Sequence, residues 1–130
     1  ISYRLKKTIM LQVVHFLVKS FCRGGPPVTL TRIVSELKIP QSLAQQILEE
    51  TTAAGIISQI CSKEGDVRSY QPAQDVNLFT VQYVIDKLEQ QGTNDVPMLS
   101  GPDYEKIKES VTRLDAFAAK ASANVLLKEL

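Results

Sequence analysis

The sequence predicts a mainly α-helical, winged helix-turn-helix fold with a two-stranded wing and a C-terminal helical extension. Three observations in residues 29–71 support this prediction. Two short stretches with helical apolar spacing are separated by a proline, a glycine ends the second stretch, and two β-rich arms follow around a polar tip. Many proteins use this fold to bind DNA. A chain of 130 residues is long enough to form such a domain around a real core.

The first predicted helix covers Tyr3–Cys22 and carries a wide apolar stripe, which is typical of a helix at the centre of a domain. A Gly-Gly-Pro-Pro sequence at residues 24–27 ends it. His15 and Lys19 fall on the polar side of this helix. We therefore interpret His15, the only histidine, as a solvated surface residue.

The helix-turn-helix follows. Thr29 is suited to cap the first short helix, and Pro40 breaks it, because proline disfavours helix at the residue before it. Ser42 is expected to cap the second short helix, and Gly55 to end it. The arms of the wing are predicted at residues 56–60 and 67–71, with the polar tip between them.

A further helix after the wing is expected to start near Asp75 or Asn77 and to bury an apolar face that includes Val84. We predict a winged-helix domain over residues 1–92, a linker over 93–102 and a helical extension over 103–130 packed on that domain. Asp103 is expected to cap the last long helix. Its apolar stripe is formed by Tyr104, Ile107, Val111, Leu114 and Phe117, and residues 124–130 are predicted to form a short tail helix.

The sequence contains no recognisable set of catalytic residues. A single histidine excludes a histidine-rich metal site, and no glycine-rich phosphate loop is present. Cys22 and Cys61 have no metal-ligand spacing and are interpreted as reduced, partly buried thiols. We therefore predict no catalytic, metal-binding or cofactor-binding residues, and we predict that the chain is not an enzyme.

Charge argues against nucleic acid as a partner. The formal net charge is +1, with +6 in residues 1–35 and −5 in the remainder. The second helix of the helix-turn-helix has no lysine or arginine over residues 40–55 and a net charge of −2, although phosphate neutralisation supplies much of the affinity for DNA. Its outer face is therefore predicted to contact protein, through Gln45, Gln46 and Glu49.

The N-terminal segment is basic. Arg4, Lys6 and Lys7 follow the aromatic Tyr3, as in segments that flank the cytoplasmic end of a membrane span. The chain opens without an initiator methionine, so we expect it to be a fragment of a longer protein whose membrane spans lie upstream. The three basic residues are accordingly predicted to be a juxtamembrane segment.

Nearly the whole chain also resembles a known family. The similar segments are residues 3–5, 16–21, 25–29, 37–40, 54–56, 70–73, 75–81, 83–85 and 123–128. They resemble the soluble C-terminal domain of the YihY/BrkB family of bacterial inner-membrane proteins, which carries the misapplied label ribonuclease BN. The resemblance implies a non-catalytic domain that faces the cytoplasm from the inner membrane and contacts its own upstream membrane domain or another protein.

The alternative is a DNA-binding transcription regulator of the Rrf2 type. These regulators share a winged helix with an Ile-Pro turn, here Ile39 and Pro40, and an Ala-Gly pair before the wing, here Ala54 and Gly55. They often carry basic recognition helices and three clustered cysteines for an iron–sulfur cluster. The two cysteines of this chain do not match that cluster.

Overall fold

The chain has a winged-helix fold, mainly helical with a small three-stranded antiparallel sheet, which confirms the predicted fold class. The structure is a computed structural model and describes residues 1–62, 65, 67–92 and 99–130. The helices are α1 (Tyr3–Cys22), α2 (Leu30–Leu37), α3 (Gln41–Ala53), α4 (Val81–Glu89) and α5 (Pro102–Lys120). The strands are β1 (Val28–Thr29), β2 (Ile57–Cys61) and β3 (Arg68–Pro72). Two 3-10 turns cover Val76–Leu78 and Leu127–Glu129.

Helix α1 lies at the centre of the fold, and the sheet, the other helices of the winged helix and the C-terminal 3-10 turn pack against it. Its stripe is fully buried at Val13, Val14 and Val18. His15, predicted to be solvated, is instead half-buried, and its Nε2 atom is buried without a hydrogen-bond partner. The wide stripe reflects neighbours on several sides of the helix, and this crowding also covers the imidazole.

The predicted wing is formed by β2 and β3, which pair from Ile57 opposite Pro72 to Cys61 opposite Arg68. The sheet contains a third strand that the pattern did not predict. Strand β1 pairs with the other side of β3, so the strand order is β1-β3-β2. Lys63, Glu64 and Asp66 of the predicted polar tip lie outside the described residues.

The turn between α2 and α3 uses a left-handed residue. Lys38 has φ 56° and ψ 45°, and its backbone N–H donates to the carbonyl oxygen of Val34 at 2.9 Å. Helix α3 starts directly after Pro40, so Ser42 lies inside the first turn and does not cap the helix as predicted. Gly55 follows the end of α3 with φ 77°, a conformation that favours glycine.

Helix α4 begins later than predicted. Asp75 starts a 3-10 turn instead, where its carboxylate accepts a hydrogen bond from the backbone N–H of Asn77 at 2.9 Å. Thr80 caps α4 by accepting from the backbone N–H of Tyr83 at 3.1 Å. Threonine and aspartate are both favoured as helix caps, and the apolar pattern alone did not choose between them.

The C-terminal tail, predicted to form a short helix over residues 124–130, forms a 3-10 turn at Leu127–Glu129. Leu127 is 2% exposed, and its backbone N–H donates to the carbonyl oxygen of Phe79 at 2.9 Å. Leu126 forms an isolated antiparallel bridge with Thr80. The tail therefore joins the core as an extended segment that ends in a 3-10 turn.

Helix α5 starts at Pro102 after Gly101, so Asp103 lies in its first turn and does not cap it. Its predicted apolar stripe does not face the core. The exposed fractions are 65% for Ile107, 53% for Val111, 69% for Leu114 and 76% for Phe117.

The division into three segments stays a prediction. Residues 93–98 of the expected linker lie outside the described residues. Across the described residues, none of the helices has the length and apolar character required to cross a lipid bilayer.

Candidate functional site

A cleft of about 280 Å³ lies where the start of α2, the outer face of α3 and the wing meet. The described residues that line it are Thr29, Leu30, Thr31, Gln45, Glu49, Gln59, Val67, Arg68 and Tyr70. Most of these side chains carry hydrogen-bonding groups. The cleft therefore collects donors and acceptors from both halves of the winged helix.

Helix α3 is fixed by its buried side, where Ala44, Ile47, Leu48 and Thr51 are at most 1% exposed. The Thr51 hydroxyl donates to the carbonyl oxygen of Ile47 at 2.7 Å, so this polar side chain is satisfied within the helix. With that side packed inward, the opposite side points away from the core. Helix α3 is thus packed on the core through one side and exposes a polar face on the other.

Gln45, Gln46 and Glu49, predicted as an interaction surface, are exposed on this free face. Gln45 and Glu49 line the cleft, whereas Gln46 does not and donates from its Nε2 atom to Glu50 at 3.2 Å. Their role as a contact surface stays a prediction.

The wing contributes Arg68 and Tyr70, which lie two residues apart on β3, with Gln59 opposite Tyr70 on β2. Burial raises the pKa of the Tyr70 phenol, the Arg68 guanidinium lowers it, and the Glu49 carboxylate raises it. Arg68 of the wing and Glu49 of α3 thus place opposite charges in the same cleft. The phenol remains a neutral hydrogen-bonding group at physiological pH.

The second acid of α3 is neutralised from a distant part of the chain. Lys6 Nζ on α1 lies 2.8 Å from Glu50 Oε1, and the two side chains are 26% and 36% exposed. The local charge of α3 is therefore less negative than its own sequence indicates. Arg4, Lys6 and Lys7 all lie in the first two turns of α1. Their assignment as a juxtamembrane segment stays a prediction.

The interaction surface predicted from the sequence did not include Arg68 or Lys6. Arg68 could have been found from strand register, since alternating residues of a strand share a face and Arg68 therefore joins Tyr70. Lys6 could not have been found in this way, because 44 residues separate it from Glu50.

One group of acids also escaped prediction. Asp86, Glu89 and Asp115 lie where α4 meets α5, with carboxylate oxygens within 4.8 Å of one another. Exposed carboxylates gather in this way without an ion, and we assign no metal there. Cys22 and Cys61 are both free thiols, and both are exposed, so the prediction that they are partly buried is wrong.

Comparison with known proteins gives structural neighbours alone. No protein-family model matches the chain, and no curated protein sequence matches it. A candidate transcriptional regulator from Listeria innocua is similar with a TM-score of 0.62 and 19% identity, over 96% of this chain and 82% of that one.

Two further solved structures are similar. CymR (YrzC), the global cysteine regulator of B. subtilis, has a TM-score of 0.61 and 19% identity, over 99% of this chain and 94% of that one. IscR from T. potens has a TM-score of 0.57 and 19% identity, over 96% and 90%. At this identity, the similarity establishes the winged-helix fold.

These neighbours overturn the predicted family. The similar solved structures reported above include a transcriptional regulator and the global cysteine regulator CymR, and none of the three is a YihY/BrkB domain, so the predicted resemblance to that family and its ribonuclease BN label is wrong. The segments behind that resemblance included no diagnostic motif. The turns and apolar runs that they contain are features a winged helix needs in any protein.

The predictions built on that family are wrong as well. They assigned a bacterial inner-membrane location and a contact with an upstream membrane domain, and the similarity to regulators contradicts both. It also contradicts the exclusion of nucleic acid, which rested on charge. That charge argument did not include the ion pair between Lys6 and Glu50, which offsets one of the two acids of α3. Similarity to regulators is consistent with the prediction that the chain is not an enzyme.

Proposed function

We propose that this chain is a DNA-binding transcription regulator of the Rrf2-like winged-helix type, without catalytic activity. In this proposal α3 enters the major groove, and the wing lies beside the sugar-phosphate backbone. The observation that carries the proposal is the cleft, which places the exposed polar face of α3 next to Arg68 of the wing.

The side chains of the cleft have chemistry suited to base edges. A glutamine can contact adenine through both its N6 and N7 atoms, and a glutamate can accept a hydrogen bond from the N4 amine of cytosine. Gln45 and Glu49 are exposed one helical turn apart on α3, so they would address neighbouring base pairs. Glu49 then acts as a base-reading group and need not face a phosphate.

Phosphate contacts come from residues outside α3. Arg68 is exposed at the edge of the cleft, and Lys38 is exposed in the turn that leads into α3. Arginine and lysine at the edges of a recognition helix position the protein on the duplex without reading its sequence. Because Lys6 already pairs with Glu50, that carboxylate repels phosphate less than a free one would.

We also propose that the regulator binds DNA as a symmetric dimer through α5. Helix-turn-helix regulators commonly bind two half-sites about one helical turn apart, and this requires two copies. The exposed residues Ile107, Val111, Leu114 and Phe117 form an apolar stripe on α5. A second copy of the same helix would cover the stripe on both chains at once.

Selection of bound sequences from random duplexes, followed by affinity measurement by fluorescence anisotropy, tests this function. We expect enrichment of a two-fold symmetric sequence. Affinity should fall steeply as salt rises from about 50 mM to 200 mM, because condensed ions are released from the phosphates.

A pair of variants tests whether α3 recognises the base sequence. Gln45→Ala should weaken discrimination at one base pair by about 1–3 kcal/mol, whereas Lys108→Gln, on the exposed surface of α5, should leave it unchanged. A protein that enriches no sequence and binds random duplex with no dependence on salt would contradict the proposed function.

A further inference from the structure

A second cleft, of about 380 Å³, lies between the start of α1 and the end of α4, with Glu50 of α3 at one side. Its volume is within the range of small-molecule sites. The described residues that line it are Tyr3, Lys6, Lys7, Met10, Glu50, Ile85, Leu88, Gln91 and Gly92. It does not overlap the cleft proposed to bind DNA, since no lining residue is shared.

The walls of this cleft combine apolar and cationic groups. Met10, Ile85 and Leu88 provide aliphatic surface, and Met10 is 6% exposed, so the floor belongs to the core. Lys6 and Lys7 stand at the rim with Glu50 as the one acid among the described lining residues, which leaves an excess of one positive charge. Lys7 Nζ also lies 6.0 Å from the centre of the Tyr3 ring.

We infer that this cleft binds a small organic monocarboxylate with an apolar body, and that binding is transmitted to α3 through Lys6 and Glu50. The apolar body would lie on Met10, Ile85 and Leu88. The carboxylate of the ligand would form an ion pair with Lys7 and would compete with Glu50 for Lys6. One negative charge on the ligand matches the single excess positive charge of the described lining residues.

The route to α3 is a pair of contacts that share one atom. Glu50 Oε1 accepts from Lys6 Nζ at 2.8 Å and from Gln46 Nε2 at 3.2 Å. A ligand that draws Lys6 away leaves Glu50 uncompensated and raises the negative charge of α3. Ligand binding should therefore weaken the binding of DNA, and by linkage DNA should weaken the binding of the ligand.

The binding step is tested without DNA, by calorimetric titration of the protein with octanoate. Octanamide and octylamine serve as the neutral and cationic analogues, or matches, of octanoate. We expect saturable binding of octanoate at concentrations of about 1 mM or below, and at least about fivefold weaker binding of both matches. Lys6→Gln and Lys7→Gln should each weaken octanoate binding, whereas Lys108→Gln should not.

Equal affinity for octanoate and octylamine would overturn the inference. The absence of octanoate binding by the folded protein would also overturn it. So would a loss of octanoate affinity in the Lys108→Gln control equal to the loss in Lys6→Gln and Lys7→Gln. Far-ultraviolet circular dichroism of each variant separates loss of the site from loss of the fold.

The transmission step rests on the proposed function and is tested separately. Saturating octanoate should weaken DNA binding about two- to fivefold, the range expected for one partly exposed ion pair. Glu50→Gln should still bind octanoate but lose this response. If octanoate binds and DNA affinity does not change, the transmission is wrong. If the protein binds octanoate and no DNA, the proposed function fails and the ligand site stands.

Discussion

The Glu50 carboxylate shows what a single residue contributes to the character of this surface. The charge pattern counted Glu49 and Glu50 together as the reason for excluding nucleic acid. In the fold they differ, since Glu50 is bound by Lys6 at 2.8 Å and Glu49 is exposed in the cleft. Residue identity could be read from the sequence, but the partner of each residue depends on tertiary contacts.

His15 supplies a prediction at the same scale. Burial lowers its pKa from 6.5, the charges of Lys19 and Arg23 lower it further, and a hydrogen bond with the backbone of Leu130 acts in the opposite direction. The unfolded chain therefore binds a proton at a higher pH than the folded chain. Stability should be unaffected above the unfolded pKa and should fall as the pH drops from 6.5 to the lower folded value.

Urea unfolding between about pH 5 and 8 measures this effect of His15. The free energy of unfolding of His15→Gln should therefore fall less than that of the wild type as the pH is lowered. His15→Gln with the same acid-side loss as the wild type would show that other groups cause it.

At the scale of elements, the apolar periodicity predicted where the long helices lie but not which surfaces they pack against. The stripe on α5 was correctly placed on one side of the helix, but periodicity cannot state whether that side meets the core or another chain. The caps at Thr80 and Gly101 were missed, since several residues nearby were equally suitable. Strand β1 has two residues, too few for any alternation to appear.

The α5 stripe yields the next prediction. In the proposed dimer Leu114 is covered by the second copy, so Leu114→Glu should place a charge in an apolar interface and separate the chains. Analytical ultracentrifugation should give twice the mass of one chain for the wild type and a single chain for the variant. The stability of the separated chain should be little changed, because Leu114 is 69% exposed within it.

Ala116→Glu is the matched control, since Ala116 is exposed and lies on the opposite side of α5. This variant should keep the mass of the wild type. A wild-type chain that sediments as a monomer at high concentration would contradict the dimer.

At the scale of the whole molecule, the order of helices and strands was sufficient to predict the winged helix. It was insufficient to predict the function, because one fold carries many functions and the site decides among them. Here the described residues that line the cleft proposed to bind DNA come from α2, α3 and the wing, among others, and they meet only after folding. The charge count along one helix was therefore insufficient to identify the partner.

The salt dependence of DNA affinity, compared between the wild type and Arg68→Ala on the selected duplex, tests the central claim most directly. If Arg68 neutralises a phosphate beside α3, the variant should bind all sequences more weakly. Its slope of log affinity against log salt should then be shallower by about 1. Lys108→Gln should keep the wild-type slope. An unchanged affinity and slope for Arg68→Ala would contradict a DNA-binding role for the cleft between α3 and the wing.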